Sequence, residues 1–73
     1  MKYYFYTIAG KRNSVPFSLD YWTYVRDIHP LDMLFDIEKS EQSSSRPYYS
    51  EFYVIHSMEI DEEKYEKYKD KYE

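Results

Sequence analysis

His29 and His56 are the only imidazoles in a 73-residue chain that has no cysteine. Near neutral pH an imidazole can serve as a general base or ligate a metal. His56 stands in "FYVIHSMEI", where the expected role is a core-margin side chain satisfied by one hydrogen bond. His29 precedes Pro30 and reads as a helix-entry residue. Asp32 and Asp36 are four apart with Asp27 nearby, a spacing that could hold a hard cation. The glycine-bearing loop of a calcium site does not accompany them, and a solvated helix face accounts for them. Gly10 is the only glycine, and one glycine cannot build a phosphate-cradling loop. The serines at 43–45 have no nucleophile context. The chain is therefore expected not to be an enzyme, and to need no metal and no cofactor.

Binding chemistry is better represented. Tyr3, Tyr4, Tyr6, Trp22 and Tyr24 share the N-terminal third with Lys2, Lys11, Arg12 and Arg26. Aromatic rings stack on bases and cations meet phosphates, so Lys11, Arg12 and Arg26 are candidate phosphate contacts for a small nucleotide. The net charge of −4 opposes long nucleic acid, whose affinity rests on neutralising many phosphates. Tyrosine, tryptophan and arginine are also the residues enriched at protein–protein hot spots. The binding surface read from the sequence comprises Tyr4, Tyr6, Trp22, Tyr24 and Tyr53.

The composition explains why these rings matter. Leu, Ile, Val and Phe together number 15, against 11 tyrosines. That aliphatic and phenylalanine content lies near the roughly 20% level below which chains tend to stay disordered. A tyrosine ring covers apolar area while its hydroxyl needs water or a partner, so tyrosines suit core margins and interfaces. A chain this short forms one domain, 1–73, near the lower size limit for folding alone. With no disulfide to staple it, self-association is expected, and a homo-oligomer with it. No apolar run approaches the roughly 20 residues of a membrane span. No signal-peptide pattern opens the chain, so the cytoplasm is the expected compartment.

The elements that must position these residues follow from periodicity. Residues 2–9 predict a strand with Tyr3, Phe5, Thr7 and Ala9 on one face and Tyr4, Tyr6 and Ile8 on the other. Gly10 is expected to open a hairpin loop through Ser14. "VPFSLDYWTYV" reads as a second strand, with a bulge near Asp20 or a break into two pieces, and Pro16 at its start or on an edge. Pro30 begins a helix over about 30–40, with Leu31, Leu34 and Phe35 as its apolar stripe, widened by Met33 and Ile37. "SEQSSSRP" is a loop. Residues 48–60 return to strand, with Phe52, Val54, His56, Met58 and Ile60 as the expected core face. Asp61 caps a helix over about 61–72 that carries Tyr65, Tyr68 and Tyr72 on one face.

The order β-β-α-β-α predicts an α+β fold: a small three-stranded, mainly antiparallel sheet with one packed helix and a C-terminal helix. The 30–40 helix should cover one sheet face. The other face is expected to present Tyr4, Tyr6 and Tyr53 to the C-terminal helix, a second copy or a ligand. The ending "VIHSMEIDEEKYEKYKDKYE", after a short aromatic strand pair, resembles small open reading frames of bacteriophages and mobile elements. That resemblance implies action by binding in a host cytoplasm, either blocking a host defence protein or sequestering a nucleotide signal as a sponge.

Overall fold

A computed structural model describes residues 1–13 and 18–72. The chain is α+β, with β1 (Tyr3–Arg12), β2 (Leu19–Arg26), α1 (Pro30–Gln42), β3 (Tyr49–Ile60) and α2 (Glu62–Tyr68) in that order. The sheet is antiparallel with strand order β2-β1-β3. The expected pieces at Val15, Pro16 and Phe17 lie outside the described residues.

β1 is the central strand, paired on both sides, and Tyr6, Thr7, Ile8, Ala9 and Gly10 are buried along it. Its alternation defines two faces. One carries Tyr3, Phe5, Thr7 and Ala9 and meets α2, whose Tyr65 stacks on Tyr3 with ring centroids 4.2 Å apart. The other carries Tyr4, Tyr6, Ile8 and Gly10 and meets α1, whose cap residue His29 lies edge-on to Tyr4 at 5.4 Å.

Three expectations are corrected here. The bulge does not fall near Asp20, because β2 pairs with β1 in unbroken register from Arg26 to Leu19. It falls in β3, where His56 pairs with Thr7 and Val54 with Ile8, leaving Ile55 as the extra residue. An extra residue reverses the phase of a strand. The predicted core face of β3 is thereby divided: Phe52 and Val54 face α1, while His56, Met58 and Ile60 face the α2 side. The same phase separates Tyr53, which pairs with Ala9 on the α2 side, from Tyr4 and Tyr6 on the α1 side.

Gly10 does not open a turn. It sits within β1, paired with Asp20 and Phe52. A Cβ there would lie 2.8 Å from Trp22 Cζ3 and 3.0 Å from Phe52 Cε1. Glycine is required because two rings from the flanking strands close over its backbone.

The stripe of α1 is also rotated from expectation. Buried Pro30 and half-buried Leu34, Ile37 and Glu41 form the inward column, and Met33 and Glu38 flank it. Leu31 and Phe35 are 61% and 66% exposed. Both ends of the helix fix this rotation. At the start, His29 Nδ1 accepts from Leu31 N at 3.1 Å. At the end, Glu41 Oε1 accepts from Tyr49 N at 2.9 Å and also from Tyr48 N. α2 begins as expected, with Asp61 Oδ1 accepting from Lys64 N at 2.8 Å.

The fully covered apolar set is thin: Tyr6, Ile8, Ala9 and Val25. Tyr6 has no exposed surface, and its hydroxyl finds no hydrogen-bond partner among the described residues. Desolvation raises that phenol to a pKa of about 12. An unsatisfied buried hydroxyl typically costs about 1–3 kcal/mol. Tyr6→Phe should leave the urea-unfolding stability unchanged or higher, whereas Tyr6→Ala should lower it by about 3–5 kcal/mol. Gly10→Ala should lower it by about 1–3 kcal/mol through overpacking, read in the same assay.

Candidate functional site

The seven residues of α2 are too few to cover the sheet face they pack on. At about 1.5 Å per residue the helix is roughly 10 Å long, half the span of an average strand. Tyr65 and Tyr72 cover Tyr3 and Phe5, with the Phe5–Tyr72 centroids 5.4 Å apart. Beyond Phe5 the face continues through Thr7 and Ala9 with their neighbours Thr23, Tyr21, His56 and Tyr53. Tyr21 is 59% exposed and Tyr53 46%, and Met58, at the border beside Phe5, is 54% exposed. Ala9 is buried between Tyr21 and Tyr53, its partners on the two flanking strands.

A polar chain runs across this open half. His56 Nε2 lies 3.1 Å from Thr7 Oγ1, which lies 3.0 Å from Thr23 Oγ1. Two proton arrangements fit. If Nε2 is unprotonated, Thr7 donates to it and accepts from Thr23. If Nε2 carries a proton, it donates to Thr7, which donates to Thr23. A hydroxyl beside an imidazole is the start of a nucleophile–base pair, but that chemistry needs a third group to orient the base. Among the described residues no carboxylate bonds to His56, and no group of three or more His, Asp or Glu is placed to hold a metal. Thr7 is largely buried beneath its neighbours. The arrangement fixes the rotamers of three side chains within a surface flanked by Phe5, Tyr21 and Tyr53, and so stiffens that surface.

The predicted binding residues are dispersed. Tyr53 lies on the open half-face. Tyr4, Trp22 and Tyr24 are half-buried on the opposite face, and Tyr6 is fully buried there. Trp22 belongs to an aromatic cluster with Tyr49 at 5.1 Å and Phe52 at 6.2 Å. Tyr24 lies 5.5 Å from Tyr6. Sequence reasoning missed Tyr21 and Met58. For Tyr21 the signal was present, since odd positions of β2 must share a face with Tyr3 and Phe5. For Met58 it was hidden by the bulge.

The candidate phosphate contacts are dispersed as well. Lys11 lies on the open face beside Glu51 and Leu19, whereas Arg12 lies on the α1 side. Arg26 pairs with Tyr4 at the opposite end of β1. Arg12 is already engaged: its Nε donates to Asp20 Oδ2 at 2.8 Å, and its guanidinium lies 5.6 Å from the Tyr48 ring centre. Asp20 Oδ2 also accepts from the Tyr49 hydroxyl at 2.7 Å. These donors hold the Asp20 carboxyl below the usual carboxylate range, and the same bond pushes the Tyr49 phenol up to about 12. Among the described residues no helix is long and apolar enough to cross a membrane.

The Arg12–Asp20–Tyr49 cluster joins all three strands, and its sign with pH is determined. A depressed folded pKa stabilises above the unfolded value and loses that contribution as pH falls through the folded one. Asp20→Asn should therefore destabilise the chain in urea unfolding at pH 7, and the difference from wild type should shrink as pH falls below about 4. Comparison with known proteins returns no match: no family model, no curated protein and no solved structure corresponds to this chain.

Proposed function

We propose that this chain is a small non-catalytic binding protein whose open half-face takes a protein partner. The observation that carries the reading is the coincidence of Tyr21 and Tyr53, each about half exposed, on the part of the sheet beyond the reach of α2, with the similarly exposed Met58 at its border beside Phe5. Aromatic and methionine side chains are those enriched at protein interfaces. The surrounding balance supports the same conclusion. The accessible surface is 5449 Å², whereas a compact 9.1 kDa monomer exposes roughly 4,900 Å². The radius of gyration is 13.4 Å against roughly 11 Å for a compact domain of this length. The chain carries more surface than a compact monomer of its mass.

The partner is a protein surface with apolar side chains at its centre and acceptors for tyrosine hydroxyls near them. The net charge of −4 favours a partner with a basic surround, through long-range steering. The resemblance to small phage and mobile-element proteins makes inhibition of a host protein, in the host cytoplasm, the form this binding takes. The sponge reading draws no comparable support, because Lys11, Arg12 and Arg26 do not converge.

A second apolar patch, Ile28, Leu31 and Phe35 beside and on the outer side of α1, supplies an internal control. With a host partner identified by crosslinking, Tyr21→Ser and Tyr53→Ser should each weaken its Kd by about tenfold or more. Leu31→Ser and Phe35→Ser should leave it within about threefold. The reverse pattern, with folded variants by circular dichroism, would place the interface on α1 and refute the assignment.

A further inference from the structure

The sheet ends in two edge strands that differ in kind. β3 shifts register against β1 at two places and carries exposed Glu51 and Glu59. Bulges and edge charges are the devices by which edge strands refuse further partners. β2 has no bulge, and its two charges, Asp20 and Arg26, are of opposite sign and so can complement those of a second copy. Its ladder with β1 is unbroken, and its sequence LDYWTYVR contains no proline, glycine or lysine. Among the described residues its outward backbone groups have no strand or loop partner. Leu19 and Tyr21 are 41% and 59% exposed.

We propose that β2 pairs with β2 of a second copy, antiparallel and centred on Thr23, to make one continuous sheet from two chains. This inference does not depend on what the open half-face binds. A two-fold axis normal to the sheet keeps like faces together, so the allowed registers move in steps of two residues. In the register centred on Thr23, Asp20 lies opposite Arg26 of the second copy, and Arg26 opposite Asp20. Trp22 lies opposite Tyr24, Tyr21 opposite Val25, and Thr23 opposite itself. Opposite charges, aromatic pairs and threonine pairs are the favourable cross-strand combinations. Centring on Trp22 sets Asp20 against Tyr24, and centring on Tyr24 leaves Asp20 out of the ladder. One register therefore satisfies both charges.

The two charged groups have capacity for this. Asp20 Oδ2 takes both internal donors, Arg12 and Tyr49, and no bond to Oδ1 is formed among the described residues. Arg26 makes no ion pair among the described residues, and its guanidinium lies 5.9 Å from the Tyr24 ring centre. Main-chain pairing along such an edge supplies affinity, and the alternating side chains set the register.

The test uses the full chain, whose lack of cysteine makes any introduced thiol the only one. Sedimentation equilibrium at about 100 μM should show a dimer, and Arg26→Glu should weaken it by about tenfold or more. Thr23→Cys should form a disulfide-linked dimer on mild oxidation, because residues opposed across such a ladder meet disulfide geometry. Tyr21→Cys alone should not, since it faces Val25. A wild-type monomer at that concentration overturns the proposal. So does a dimer that ignores Arg26→Glu, or one that is trapped by Ile55→Cys in β3 and not by Thr23→Cys.

Discussion

The extra residue at Ile55 is the constraint on which the architecture rests. With strict alternation, Phe52, Val54, His56, Met58 and Ile60 would all lie on one face of β3, leaving the other face Tyr49, Tyr53 and Ile55 among Glu51, Ser57 and Glu59. The bulge sends Phe52 and Val54 toward α1 and leaves Met58 and Ile60 for α2. A sheet of three strands thereby supports a helix on each side. The consequence is that the apolar material is divided between two shallow layers, and the fully covered apolar set is limited to Tyr6, Ile8, Ala9 and Val25.

Tyrosine makes such a division workable. A ring needs cover but its hydroxyl does not need burial, so a half-covered tyrosine is a stable arrangement where a half-covered leucine is a loss. Tyr49 shows both halves of this. Its ring lies against Trp22, Phe52 and Tyr48, and its hydroxyl reaches Asp20. Tyr3 and Tyr65 stack while lying only partly buried. Tyr6 is the exception, since its hydroxyl is carried into the interior without a partner. Its position on the central strand leaves no route by which the ring can be covered and the oxygen wet.

What was legible in the sequence follows the range of the interactions involved. The order of elements, the α+β class and the caps at His29 and Asp61 depend on neighbours within a few positions. They were readable for that reason. The rotation of α1 was not, because it is set by Glu41 accepting amides seven and eight residues further on, in a segment that periodicity treats as loop. The role of Gly10 was hidden for the same kind of reason. Two rings from different strands close over it, and only the pairing register brings them there. The candidate site shows this most plainly. Tyr53 was identified as a surface residue, but Tyr6 was joined to it by an alternation that the β3 bulge interrupts.

The open half-face and the unprotected edge of β2 are two consequences of one shortage. A chain of this size buries too small a fraction of its apolar surface to be stable by a wide margin. Any occupant of the exposed area adds to folding stability by mass action, since it binds the folded chain and not the unfolded one. On the proposed readings association and folding are linked, and the stability of the chain becomes a function of its own concentration and of its partner's. The surface that makes the fold incomplete is the same surface that makes binding favourable. Filling Tyr21 and Tyr53 inward, or giving the β2 edge charges of one sign as β3 has, would remove the proposed attraction for a partner without supplying the missing core. In this molecule the proposed sites of interaction are the places where the sandwich has no further layer of its own.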